Sequence, residues 1–507
     1  MRLSRILSGT TAHLSALQVD IEVDVVPSDK PSLVIVGLPD AAIREAKDRV
    51  LTAIKNTRFD TAFLRCTVNL APADLKKEGS LFDLPIAIGL IRSIKSIHKE
   101  KYSNYLIVGE LGLGGEVRAI SGALALAMLA KRLKKGIILP AVNAKEASLI
   151  PGIEVVGVAT LSDAVRFLNE EISLQNLCSH IESVPSEKQE PLSATHPDFA
   201  EIHGQLQGRR AMEIAAAGGH NVLLSGPPGT GKSMLAKALI GILPELSFEE
   251  ALEVTNIYSA AGCAATSSLK KERPFRCPHH TVSYAGLIGG GSHPRPGEVA
   301  LAHRGVLFLD ELPEFSRNAL EALREPLEER KITISRAIGS YTFPANFIFV
   351  AAMNPCPCGF LGHPEKMCRD TSLQIDNYQR KISGPLIDRI DIHITASAPK
   401  SIDINHTKLQ ECSEAIRARV IAARKRQHAR HAEKTNAELS VKEIQNHFTL
   451  SPEVKSILDN AIDSFNISMR AYYRVLRVAI TIADLAKDDT LREEYLLEAL
   501  NYRGISN

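Results

Sequence analysis

The chain has 507 residues, 45% of them hydrophobic and 23% charged, with a formal net charge of +2. That length calls for two to four domains of ordinary globular composition, and near-neutrality excludes nucleic-acid binding driven by overall charge, leaving only local patches for it. No apolar run reaches the roughly 18 residues of a membrane span. The start, Met1-Arg-Leu-Ser-Arg, lacks a signal-peptide core, and the eight cysteines are scattered. A cytoplasmic protein with no membrane partner is expected.

From Gln18 to Val25 apolar Val19, Ile21, Val23 and Val25 alternate with Asp20, Glu22 and Asp24, the pattern of a half-buried strand. A second strand, Leu33 to Val36, leads to Asp40, expected to cap a helix with Ile43, Ala46, Val50 and Ile54 on one face. Strands at Cys66–Leu70, Leu106–Val108 and Gly136–Leu139, with helices from Pro85 and over Gly122–Leu133, complete an α/β domain over residues 1–170. Residues 171–197 lose periodicity and turn rich in Ser, Pro, Glu and Lys from Ser183 to Pro197, as an interdomain linker does. A nucleotide domain is expected over 198–398. Beyond it, residues 399–507 read as helical, with amphipathic stretches at 411–433, 451–463 and 468–486.

The sharpest signal is Gly226-Pro227-Pro228-Gly229-Thr230-Gly231-Lys232-Ser233, lying between the apolar run Val222–Leu224 and a helical pattern with Leu235, Ala238 and Leu239. Glycines at these positions let backbone N–H groups approach phosphate oxygens, the lysine neutralises the β/γ-phosphates, and the serine hydroxyl ligates Mg²⁺. ATP with Mg²⁺ is the expected cofactor. Gly305-Val-Leu-Phe-Leu-Asp310-Glu311 reads as a buried parallel strand ending in two acids. Asp310 would hold Mg²⁺ and Glu311 would polarise the attacking water. A third buried strand, Asn346 to Ala352, ends near Asn354, placed to sense a γ-phosphate. A fourth, Ile390 to Ile394, follows Arg389, which at a subunit edge would reach a neighbour's nucleotide as an arginine finger.

These residues resemble an AAA+ ATPase. Phe275-Arg-Cys-Pro-His-His-Thr, Pro296-Gly-Glu-Val-Ala-Leu-Ala-His and the expected hairpin from Lys331 to Pro344 narrow the resemblance to magnesium-chelatase ATPase subunits. At the front, Lys76-Lys-Glu-Gly-Ser-Leu-Phe-Asp-Leu-Pro, Gly109-Glu-Leu and Ile138-Leu-Pro resemble the proteolytic domain of Lon-type proteases. The catalytic Ser and Lys positions of that domain fall on Leu81 and Leu124, which cannot act as nucleophile or base. Lys76, Lys77 and Ser80 lie close by and are the residues from which a displaced dyad would have to come. The whole chain is similar to the ComM/YifB family of magnesium-chelatase-like AAA+ proteins. That resemblance implies an α/β fold class: a Lon-protease-like (ribosomal S5 domain 2-like) front domain, an AAA+ P-loop core with a parallel sheet, and a C-terminal helical lid. It also implies a second sensor at Arg470, in Ser468-Met-Arg470, and a hexameric, ATP-driven helicase promoting branch migration on DNA during recombination of transforming DNA.

Other residues leave alternatives open. Cys356, Cys358 and Cys368 stand where the family pattern has C-x-C-x₉-C-x-C, with Asp370 in the fourth place; with Asp370 or His363 they would make a tetrahedral Zn²⁺ site, or else a metal-free turn. Cys277 with His279 and His280 is too small a set for a metal. Arg417, Arg419, Arg424, Lys425, Arg426 and Arg430 on one helix read as a solvated basic face or a DNA-phosphate contact. Arg336 in the hairpin would face DNA in a ring's pore without base preference. The competing function is a magnesium-chelatase-type ATPase subunit remodelling a protein partner, against which the Lon-like front end is expected to decide.

Overall fold

The computed structural model describes residues 3–503 apart from 13, 29–31, 38–40, 58, 60–63, 73–76, 78, 95–96, 98, 182–195, 264–268, 292–294, 337–338, 364, 397–409, 449–450 and 466–467. The chain divides into two compact units, residues 1–192 with 255–270, and residues 193–254 with 271–507.

In the first unit the alternating stretch forms the strand Ser15–Pro27, with Val19, Ile21 and Val23 fully buried. It pairs antiparallel with Ser4–Ala12 and Leu64–Ala71, and Ser32–Val36 lies parallel beyond the latter. The first of these, Ser4–Ala12, carries too few apolar residues to show a period. It is buried all the same, because Ser8 Oγ donates to the Ile107 carbonyl at 2.8 Å and so satisfies its polar group inside. The helix Ala41–Asn56 buries Ile43, Ala46, Val50 and Ile54 as expected; its expected cap, Asp40, lies outside the described residues. A second, parallel sheet joins Tyr105–Ile107, Gly136–Pro140 and Val155–Val158.

Leu81 and Leu124 are both packed into the interior of this unit. Ser80 Oγ donates to Glu110, and Lys77 Nζ donates to the Pro72 carbonyl, so each has its own partner; Lys76 lies outside the described residues. Within the expected linker the structure places a helix, Leu174–Ile181, with Leu177 buried in the first unit's core. The segment Thr255–Lys270 also belongs to this unit, where Asn256 Nδ2 donates to the Leu14 carbonyl at 2.6 Å and Ser259 Oγ to Glu146 at 2.8 Å.

The second unit is built on five parallel strands in the order Phe275–Arg276, Val306–Leu309, Ile348–Met353, Val222–Ser225, Ile392–Thr395. The phosphate-loop strand is therefore interior, fully apolar through Leu224 because helices cover both faces. The hairpin expected from Lys331 to Pro344 is present as Lys331–Arg336 paired antiparallel with Gly339–Pro344. It forms its own two-stranded sheet, with Ile332, Ile334 and Phe343 buried.

The C-terminal part contains the helices Ser413–Arg430, Val441–His447, Pro452–Phe465, Met469–Leu485 and Glu493–Asn501 among the described residues. Both readings of the arginine-rich helix need correction. Arg417 donates to the Gly241 carbonyl at 2.8 Å, and Arg424 to the Ala216 carbonyl at 2.9 and 2.7 Å. Arg419 pairs with Glu213 and Glu411, Arg426 with Asp489, and Arg430 with Asp484. Burial pushes the Arg424 guanidinium down to about 9. These arginines fasten the helix to the ATPase core and to its helical neighbours instead of forming a solvated face or a phosphate-binding strip. Two of the carbonyl acceptors lie at or near the ends of the helices Leu206–Gly218 and Lys232–Ile242, where C=O groups lack an intrahelical partner and favour cations.

Candidate functional site

In an open parallel sheet, residues that leave the carboxyl ends of neighbouring strands converge. Here Ser225 pairs in register with Met353, and Leu309 with Ala351, so the phosphate loop, Asp310-Glu311 and Asn354 all emerge at one end of the sheet. The helix Lys232–Ile242 starts directly from the loop and points its N-terminus, with its partial positive charge, into the same space.

Ser233 Oγ donates to Asp310 Oδ2 at 2.7 Å. Lys232 Nζ donates to the carbonyls of Gly226 and Pro227 at 2.6 and 2.8 Å and to Asn354 Oδ1 at 3.3 Å. Burial pulls the ammonium below the ordinary lysine value, while the nearby Asp310 pulls it back up. Thr230 Oγ1 closes the loop on the Pro227 carbonyl at 3.0 Å. Gly229 and Gly231 have φ of +80° and +83°, and a Cβ at either would meet nothing within 4 Å, so the loop is open over both. Gly226 serves a different need: a Cβ there would come within 2.3 Å of the Ala396 carbonyl oxygen. Its smallness admits the neighbouring chain, not a phosphate.

The residues fit ATP with Mg²⁺. The open glycine arc, the helix N-terminus and Lys232 suit phosphate oxygens, and the Ser233–Asp310 pair is the hard-oxygen donor set that Mg²⁺ takes. Bound there, the nucleotide would supply a phosphoanhydride bond and the ion would neutralise phosphate charge. Glu311 sits just beyond the strand with φ +52° and ψ +48°, a left-handed conformation that a non-glycine residue adopts at a cost of about 1–3 kcal/mol. Its amide donates to Asp310 Oδ1 at 3.0 Å. Glu311 lines a cavity of about 400 Å³ with Glu314, Asn354, Tyr378 and Lys381. Burial and the neighbouring Glu314 push the Tyr378 hydroxyl up to about 12.

One neighbour of Glu311 was missed by reasoning on the sequence. His280 Nδ1 lies 3.6 Å from Glu311 Oε2, and its ring is 4.1 Å from that of His279. Read as letters alone, the pair is only too small a set for a metal. The available signal was positional: Phe275–Arg276 is a parallel strand of the same sheet, so residues just after it exit at the same end.

Arg389 and Arg470 come together elsewhere. Arg389, nearly buried, pairs with Glu328 and donates to the Pro385 carbonyl at 2.7 Å. Arg470, exposed in the first turn of the helix Met469–Leu485, lies 3.6 Å from the other oxygen of Glu328. Glu328 is thus a shared partner that the sequence did not reveal. In the hairpin Arg336 pairs with Gly339 next to residues 337–338, which lie outside the described residues, as does the Arg336 side chain.

The cysteine loop closes on itself. The sulfurs of Cys356, Cys358 and Cys368 lie 3.4, 3.6 and 3.6 Å apart, and one oxygen of Asp370 completes a set whose atoms are all within 4.8 Å of one another. Asp370, and not His363, is the fourth member of that set; His363 Nδ1 accepts from the amides of Glu365 and Lys366, both at 3.0 Å.

A sequence family described as magnesium chelatase, subunit ChlI, matches residues 198–404; subunit ChlI of Mg-chelatase matches 21–143; and the magnesium chelatase subunit ChlI C-terminal family matches 410–503. The competence protein ComM of Haemophilus influenzae is 41% identical over 506 residues, spanning 100% of this chain and 98% of that one. The Escherichia coli protein YifB, described as uncharacterized, is 40% identical over the same spans. The chain belongs to the ComM/YifB family of magnesium-chelatase-like AAA+ ATPases. The 38 kDa magnesium-chelatase subunit of Rhodobacter capsulatus is 28% identical over 174 residues, 31% of this chain. Contrary to the expectation that the front end would decide against a chelatase, residues 21–143 match a family that carries the chelatase subunit's description, so the front end alone does not set the two apart. Similarity running through every part of the chain separates them better. Among the described residues no helix is long and apolar enough to cross a membrane.

Proposed function

We propose that this protein is an ATP-driven DNA translocase that works as a homo-hexameric ring and promotes branch migration during recombination of transforming DNA. Residues 1–170 form its front domain, 198–398 its ATPase core and 399–507 its lid. ATP with Mg²⁺ is held by Gly229, Gly231, Lys232, Ser233 and Asp310; Glu311 accepts the proton of the attacking water; Asn354 orients the γ-phosphate end; and Zn²⁺ sits among Cys356, Cys358, Cys368 and Asp370. Arg389 and Arg470 meet at one carboxylate, so in this reading they serve the same nucleotide, that of the adjoining subunit. The observation that carries the proposal is the end-to-end similarity to a protein named for competence, joined to an assembled phosphate-loop site.

The second reading, a chelatase-type subunit remodelling a protein partner, draws on the three chelatase-described families. The ATPase rate separates the two when measured with no DNA, single strand, duplex and a four-way junction. The proposal expects stimulation by DNA that weakens with salt and ignores sequence, because phosphate contacts release counterions. Arg336→Ala should lower that stimulation and leave the basal rate largely intact. No response to any DNA, together with activity supplied by chelatase partner subunits, would favour the second reading.

A further inference from the structure

Between Asn354 and the helix Ser372–Gln379 the chain makes no regular structure among its described residues. It is held instead by local contacts that radiate from the thiol cluster. The Leu361 amide donates to Cys356 Sγ at 3.4 Å, the Gly359 amide to the Cys356 carbonyl at 3.0 Å, and the Cys358 amide to Asp370 Oδ2 at 2.8 Å. Zn–S bonds of about 2.3 Å give a tetrahedron edge of about 3.8 Å, close to the spacing of these three sulfurs. An N–H donated to a ligand sulfur is the outer support that such sites carry.

The turn so formed leans on the ATP site. Gly359 has φ +81°, and a Cβ built on it would lie 2.7 Å from Pro228 Cδ and 3.8 Å from Asn354 Cγ. Pro228 belongs to the phosphate loop, and Asn354 is the residue whose Oδ1 meets Lys232 Nζ. The Gln379 side chain ties the Pro355 carbonyl from the other side at 3.2 Å. Cys356 is thus two residues from Asn354, and the turn it opens is wedged against the loop that grips phosphate.

Resting on the zinc and ATPase readings above, we infer that the Cys356–Asp370 metal site is a clamp: Zn²⁺ bound there fixes Asn354 and Pro228 in the positions that ATP hydrolysis requires. A metal-linked turn loses less order than a free one of the same length, and a displacement of about 1 Å at a positioning group can cost about a hundredfold in rate. The clamp acts on turnover more than on binding, because the groups that grip the nucleotide remain.

The test uses the full chain. Purified protein should carry one zinc by plasma emission spectroscopy, and its Co²⁺-substituted form should show thiolate charge-transfer bands with tetrahedral d–d absorption. Cys368→Ser should lose the metal and at least about tenfold in kcat, with the Kd of a non-hydrolysable ATP analogue changed by less than about threefold. Asp370→Cys, which puts a thiolate in place of the carboxylate as fourth ligand, should keep the metal. Gly359→Ala should keep the metal yet lose about tenfold in kcat, since its methyl must push Pro228 aside; circular dichroism identifies any variant that fails to fold, and this variant then carries the test. Zinc-free wild-type protein hydrolysing ATP at full rate would overturn the inference. So would wild-type kcat in both metal-free Cys368→Ser and Gly359→Ala, with the zinc itself then left standing. Wild-type protein that carries zinc but hydrolyses no ATP would instead sink the ATPase reading.

Discussion

Glu311→Gln protein should bind ATP as tightly as the wild type and turn it over about a hundred- to ten-thousandfold more slowly. The expectation rests on the position of Glu311 at the carboxyl end of the strand Val306–Leu309, one residue past the Ser233–Asp310 pair. The carboxylate is the group there not committed to Ser233, and it lines the same cavity as Asn354. An amide keeps the shape and the polar contacts and removes the basicity. Lys232→Ala should fail earlier, losing about a hundredfold or more in ATP affinity, because a buried cation leaves its partner unpaired when truncated. The two variants separate by equilibrium binding of a fluorescent ATP analogue beside a phosphate-release assay. Wild-type turnover by Glu311→Gln would remove that residue from the role of base.

Arg389→Ala should lower ATPase by about a thousandfold, the lower end of what arginine fingers contribute, and mixing should partly restore it. Arg389 holds Glu328 and the Pro385 carbonyl, and Arg470 approaches the same Glu328. Glu328 is the partly exposed member of the pair, so water can take over its hydrogen bonds when the guanidinium turns to a phosphate, which accepts from it bidentately. An Arg389→Ala chain mixed with a Glu311→Gln chain forms some interfaces that join an intact Glu311 to an intact Arg389. Those interfaces should hydrolyse ATP although neither parent does. Demonstrably mixed rings without recovered activity would mean that Arg389 works within its own chain or holds structure only.

The parts legible in the sequence were those whose chemistry is written contiguously. The phosphate loop, the Asp310-Glu311 pair and the hairpin strands announce themselves because glycine spacing, a buried apolar run and strand alternation are local. What stayed hidden depends on partners far along the chain. The strand Ser4–Ala12 has no period to read, since its buried Ser8 is paid for by a carbonyl at Ile107. The arginines of Ser413–Arg430 looked free because the carbonyls of Ala216 and Gly241 that take them are invisible as letters. Gly226 was credited to phosphate when Ala396 requires it, and His280 and Glu328 gained meaning only once sheet order and helix placement were known.

The most direct test of a DNA motor is migration of a four-way junction by purified wild-type protein with ATP, scored beside Glu311→Gln. The account predicts conversion of the junction to two duplexes by the wild type, dependent on ATP hydrolysis and independent of sequence, with none by the variant. An intact junction after incubation with protein that is actively hydrolysing ATP would contradict it.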